Sequence, residues 1–268
     1  MKPTFLKRLL KNIALAMLMS GLSGCFISPG NFSSYVVVKN DGTFDFNYKG
    51  EIFFVGMSGL AKVDEETTVE TDKENWDIEN TNQKKHSDKT TDDIADLIGG
   101  IDPSDPQAEE KFIALLLSHN GWKKVEAVGD GLFEVEFAVS GNLTHDFRFP
   151  VIENAFIDQP FVEIILKDDG IVKINALGFS MQEETNPASA ILAGLMSIAS
   201  FEQLEDLDNL SIPDMSGTFE VFTDGEILTS NHEREQSREG YGLGRVWTVN
   251  KNTIAAPRAK IKLSSLNS

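Results

Sequence analysis

The sequence predicts an α+β fold: a largely antiparallel β-sheet with about two packed helices, preceded by a cleaved signal peptide. Three observations carry this expectation. Apolar residues alternate with polar ones in several runs punctuated by Asp-Gly, the pattern of hairpins. Two segments, 105–120 and 188–210, repeat apolar residues at helical spacing. Of the 268 residues, 41% are hydrophobic and 25% charged, enough apolar material for one domain with its own core.

The first 24 residues are set apart from that fold. Lys2, Lys7, Arg8 and Lys11 form a basic start, and Ile13 to Leu22 is an apolar stretch. At about 1.5 Å per residue it is too short to cross a hydrocarbon layer of about 30 Å. Small residues follow, as in a secretory signal peptide. The end of this stretch, Leu22-Ser23-Gly24-Cys25, resembles the lipobox of the bacterial lipoprotein family. The resemblance implies cleavage before Cys25, a diacylglyceryl thioether on its sulfur and an acyl group, such as palmitate, on its new amine. The residues suit that chemistry. Ser23 and Gly24 leave the backbone open to a peptidase, and a thiol is the nucleophile a lipid transferase needs. Several acyl chains hold firmly, at about 0.8 kcal/mol per buried CH₂. Phe26 stands where Asp would signal retention at an inner membrane. The expected place is therefore the cell envelope, at the outer membrane facing the periplasm if the host has two membranes.

Residues 25–34 read as a lipidated tether, with Pro29, Gly30 and Asn31 breaking any regular element. Residues 35–263 read as one extracytoplasmic domain. Tyr35-Val36-Val37-Val38, the turn Asn40-Asp41-Gly42, and alternating Phe44, Phe46 and Tyr48 spell a hairpin. Ile52 to Val55 reads as a third extended piece or a helix start. Residues 64–104 are too polar for a core element and read as a solvated, partly disordered insertion. Asp105 and Pro106 open a helix that carries Phe112, Leu115 and Leu116 on one face and stops at Asn120-Gly121. Trp122 to Val128, then Phe133 to Val139 beyond Gly129-Asp130-Gly131, read as strands, as do Phe147 to Phe149. Val162 to Leu166, Asp168-Asp169-Gly170 and Ile171 onward spell a second hairpin. Ala188 to Leu210 has helical period, and Ile191, Leu195 and Ile198 on it are candidate ligand-contacting residues; packing against the sheet is the plainer role for such a face. Thr218 to Asn231 reads as a hairpin turning at Asp224-Gly225. Asn231 to Gly244 reads as a charged loop, and the runs around Trp247 and Ile261 as the last strands.

Charge and motifs exclude several chemistries. Lys and Arg total 24 against 42 Asp and Glu, a formal charge of −18. Loss of the four basic residues of the leader takes it to −22. That sign argues against nucleic acid as a partner and against a flat basic face on anionic lipid. The four histidines, His86, His119, His145 and His232, make no HxH or HxxxH pair, so no metal is expected. Gly-x-Ser-x-Gly, Gly-x-Gly-x-x-Gly and the P-loop are absent. No catalytic residue and no cofactor are expected, and an enzyme is the less favoured class.

The Asn40-Asp41-Gly42-Thr43 turn, the Thr218–Asn231 run with Asp224-Gly225, and the following strand with Trp247 together resemble the LppM-type lipoprotein domain. The resemblance covers the β-rich parts of residues 33–263 and rests on generic strand-and-turn words; the insertion at 64–104 departs from it. It implies an extracytoplasmic domain associated with a lipid or lipoglycan. Two functions are expected to compete. One is a non-enzymatic, lipid-anchored envelope module that binds a lipid or lipoglycan. The other is a structural adaptor that binds another envelope protein through an acidic surface. In both, the membrane is engaged through the lipid on Cys25.

Overall fold

The computed structural model describes residues 27–54, 57–58, 100–102, 105–152, 160–167, 169–180 and 213–264. Twelve strands run through them: β1 Ile27–Val38, β2 Thr43–Phe54, β3 Trp122–Gly129, β4 Leu132–Asn142, β5 Phe147–Phe149, β6 Val162–Leu166, β7 Ile171–Asn175, β8 Ser216–Thr223, β9 Glu226–Ser230, β10 Arg234–Arg238, β11 Gly242–Asn250 and β12 Arg258–Lys262. One α-helix, α1, spans Ala108–Ser118. The expected α+β class with about two packed helices is thus overturned: the described chain is predominantly β, and α1 is its one helix longer than a single turn. The other expected helix, 188–210, lies outside the described residues.

The strands form two sheets. The larger has the order β10-β11-β8-β1-β2-β4-β3, and the smaller β5-β6-β7-β12-β9. Neighbours are antiparallel except β1 and β8, which run parallel with Val36 opposite Val221. Val38 pairs with Phe44 across the Asn40-Asp41-Gly42 turn, where Gly42 takes φ 82° and the Asp41 carboxylate accepts from the Thr43 N–H at 2.9 Å. The β6–β7 hairpin forms as expected, with Leu166 opposite Val172 and Gly170 at φ 70°. We call the end of the molecule where β1 starts the base, and the end holding these two turns the top.

The sheets face each other across a layer of aromatic rings. The alternation along each strand sends one set of side chains inward, and the inward set here is rich in Phe. Phe46 meets Phe149 at 5.0 Å between ring centroids, Tyr48 meets Phe149 at 5.0 Å, and Phe32 stacks on Phe179 at 4.2 Å. Phe179 in turn meets Phe219, and Phe219 meets Trp247. α1 closes the interior near the base, where Phe112 packs on Phe54 and Phe133.

Four local expectations are corrected. Residues 27–34, taken within the tether, belong to β1, an interior strand. Ile27, Ser28 and Phe32 are buried, and the break at Pro29 to Asn31 is a register shift within the β1–β2 pairing. Ile52 and Phe53 continue β2 and begin neither a new strand nor a helix. The Asn231–Gly244 loop contains β10, exposed throughout. An edge strand with neither face covered shows no apolar alternation, so its pairing with β11 leaves no trace in composition. Finally, β8 and β9 are not a hairpin. At Asp224-Gly225 the chain leaves one sheet for the other, and β9 pairs with β12. Gly225 permits this because a Cβ there would lie 2.9 Å from both Ile261 Cγ2 and the Lys262 carbonyl oxygen. Only the β1–β2 turn and the Trp247 strand remain of the three features that carried the resemblance to the LppM-type domain.

Candidate functional site

Cys25, Ile191, Leu195 and Ile198, the residues singled out from the sequence, lie outside the described residues, as does most of the 64–104 insertion. The structure does place their flanks. Ile27, two residues after Cys25, is already in the sheet opposite Phe54. Ser180 and Met215, which bracket the 181–212 segment apart from Pro213 and Asp214, are buried near the base, beside Phe179 and the start of β8.

The base is also where apolar side chains meet solvent. Among the described residues the three most exposed large hydrophobics are Ile254 at 73%, Val128 at 60% and Val151 at 59%. Val128 is at the end of β3, Val151 just past β5 and Ile254 just past β11. All three strands run toward the base. β3 pairs antiparallel with β4 so that Gly129 faces Leu132, itself beside Phe53. β11 ends with Asn250 opposite Ser216, which pairs with Asn31. β5 runs down against β6, with Phe149 opposite Val162. Lys251 and Asp214 form a 2.8 Å ion pair nearby, which raises the Lys251 ammonium pKa. In the sequence each is a lone apolar residue beside a turn, and single exposed hydrophobics are ordinary. Their common end is visible only in three dimensions.

A polar cluster sits where β9 leads into β10, beside β11. The Trp247 indole N–H donates to Asn231 Oδ1 at 3.0 Å, and that oxygen also accepts from the Arg258 N–H at 2.8 Å. The Asn231 amide donates to the Ala256 carbonyl at 2.9 Å. Asn231 therefore ties both sheets together. Glu235 Oε1 lies 2.6 Å from Arg245 Nη1 and 3.8 Å from His232 Nε2. The Arg245 contact is an ion pair outside hydrogen-bond geometry, and the buried Arg245 Nε has no hydrogen-bond partner. The cluster braces the sandwich edge.

On the outer face, the Arg238 guanidinium lies 4.6 Å from the Tyr35 ring centroid and 5.4 Å from that of Tyr241. This is a cation–π cage filled by the chain's own arginine. Burial, and then the hydrogen bond with Tyr241, push the Tyr35 phenol pKa up. His119 closes α1, its Nδ1 2.7 Å from the Leu115 carbonyl oxygen. Among the described residues no group of three or more His, Cys, Asp or Glu is placed to hold a metal, and no helix is long and apolar enough to cross a membrane.

No protein-family model and no curated protein matches the chain. Among solved structures, the NMR structure of the folded domain of Mycobacterium tuberculosis LppM is similar over 90% of this chain and 92% of that one, at 11% identity and a TM-score of 0.30. That is a weak structural resemblance, and at such a score it carries no argument about function.

Proposed function

We propose that the chain is a lipid-anchored, non-enzymatic binding module of the cell envelope, attached through Cys25 and taking a lipid or lipoglycan at the base of the sandwich. The observation that supports it is the spacing between lipobox and fold: Leu22-Ser23-Gly24-Cys25 is followed within two residues by the buried start of an interior strand. An anchor there holds the base near the bilayer. The space between the sheets, where described, is filled by rings in contact, so the ligand is assigned to the base and to the apolar segment carrying Ile191, Leu195 and Ile198. The flanks of that segment come down at the same end.

Native mass spectrometry of residues 26–268 purified from a bacterial periplasm tests the reading. A discrete added mass that organic solvent removes is expected. Leu195→Asp should abolish it and leave the fold intact. A bare mass, with no uptake from added envelope lipids, contradicts the lipid reading and favours the second one, an adaptor for another envelope protein. The formal charge of −22 expected after leader removal supports that alternative, and its partner would dissociate steeply with salt.

A further inference from the structure

We infer that the base of the sandwich is a bilayer-contacting surface, on which the lipidated chain stands with Val128, Val151 and Ile254 toward the lipid and the Asn40 and Asp224 turns held away from it. The inference rests on the anchor reading above and adds an orientation and three contact residues to it.

Reach fixes which end approaches the bilayer. From Cys25 to Ile27 there are two residues, about 7 Å of fully extended chain. Ile27 has no slack to add, because it is only 5% exposed and is paired with Phe54. β1 itself is 12 residues long, about 36 Å at the rise of a strand. The top is thus several times farther from the first residue of β1 than the anchor can reach. A lipid on Cys25 must keep the base, and not the top, at the headgroups.

The exposed apolar side chains point to the same end independently of the anchor. The three most exposed large hydrophobics among the described residues sit at or just past the ends of three strands, two in the larger sheet and one in the smaller, and all three strands end at the base. A link of two residues fixes which end approaches the bilayer and leaves the tilt open. Three apolar contacts spread over both sheets set the tilt. Of the less exposed ones, Leu243 lies at the top, Leu228 on β9 and Leu117 on α1. A protein surface as the occupant of the base would have to share the space that the anchor already gives to lipid, so the bilayer is the occupant the anchor selects. Embedding these side chains also removes apolar area from water, which favours contact once the anchor has made the approach unimolecular.

The test uses the full chain, made and processed in bacteria and reconstituted in vesicles of phosphatidylethanolamine with a minor share of phosphatidylglycerol. Val128→Cys, Val151→Cys, Ile254→Cys and Leu243→Cys each receive a thiol-reactive fluorophore, and quenching by spin-labelled lipid is read. All four positions are exposed, and circular dichroism checks that each variant keeps its fold. Several-fold stronger quenching at 128, 151 and 254 than at 243 is expected. Equal quenching at all four positions, or stronger quenching at 243, in a chain whose mass carries the lipid overturns the orientation alone. A parent chain that takes the fluorophore on Cys25 has a free thiol, which overturns the anchor reading and this proposal with it.

Discussion

Asn40 and Asp224, 184 residues apart, clasp each other at the top of the sandwich. The Asn40 N–H donates to Asp224 Oδ1 at 2.6 Å, and its side-chain amide donates to the Asp224 carbonyl at 2.7 Å. Asn40 Oδ1 in turn accepts from the Ser264 N–H at 3.1 Å and from its hydroxyl at 3.0 Å. One side chain thus joins the β1–β2 turn, the crossing between sheets and the end of β12. Asn40→Ala should cost about 1–2 kcal/mol, the loss of exposed hydrogen bonds at about 1 kcal/mol or less each. Asp224→Ala removes only the acceptor of the Asn40 N–H and should cost about 1 kcal/mol or less, and the double variant about the sum, because each change removes different bonds. Urea unfolding of the four chains measures this.

Gly225 sets the crossing itself. Its Cβ space is taken by Ile261 and the Lys262 backbone, so Gly225→Ala should destabilise by about 1–3 kcal/mol through overpacking. Gly141→Ala, where a Cβ meets nothing within 4 Å, is the control and should change stability little. Paired thermal melts decide it.

Phe149 touches Phe46, Tyr48, Trp122, Phe137 and Phe161 and is fully buried. Phe149→Ala should therefore cost about 3–5 kcal/mol. A loss under about 1 kcal/mol, by urea unfolding, would mean that the layer between the sheets is not filled as described.

Acid should weaken three surface contacts. The hydroxyl and N–H of Thr43 hold the Asp41 carboxyl below its usual range, Lys111 and then the Gln107 N–H do so for Asp105, and Lys49 does so for Glu136. A depressed carboxyl contributes stability above its unfolded pKa, about 4, and loses it as pH falls through the folded value. The stability gap between the parent and the Asp41→Asn, Asp105→Asn, Glu136→Gln variant should be full above about pH 5 and shrink below about pH 4. All three groups are exposed, so the gap is expected to be small.

Base acts on Tyr48. Burial pushes its phenol well above the ordinary value, and its hydroxyl donates to the Glu51 carbonyl at 2.7 Å. A raised pKa contributes stability that is present below the unfolded value, about 10, and lost as pH rises beyond it. Tyr48→Phe should be less stable than the parent at neutral pH by about 0.5–1.5 kcal/mol, the worth of that hydrogen bond, and lose less above about pH 10. Denaturant midpoints at pH 7 and pH 11 check both parts.

Much of the strand content was legible because it follows alternation and turn chemistry. Phe133, Val135 and Phe137 point inward and Glu134 and Glu136 outward, as their period of two requires. The Asp-Gly word, by contrast, is ambiguous. At Asp41-Gly42 it closes a hairpin, and at Asp224-Gly225 it carries the chain between sheets, because β9 pairs with β12, more than 30 residues on, and not with β8. β10 was invisible because Arg234 to Arg238 carry no apolar alternation: the strand is exposed throughout at an open edge. The break at Pro29 and Gly30 reads locally as a tether, yet a parallel partner, β8, supplied nearly 190 residues later, completes β1 as an interior strand. Nothing local marks the shared end of Val128, Val151 and Ile254, since that depends on the direction of three strands in two sheets.

The intact mass of the chain recovered from bacterial membranes decides whether it is anchored through Cys25. A protein that starts at Cys25 and carries the added mass of a diacylglyceryl group and an acyl chain is expected, with Cys25→Ser lacking both the lipid and the membrane association. A mature chain of unmodified mass, or one cut at another residue, would contradict it.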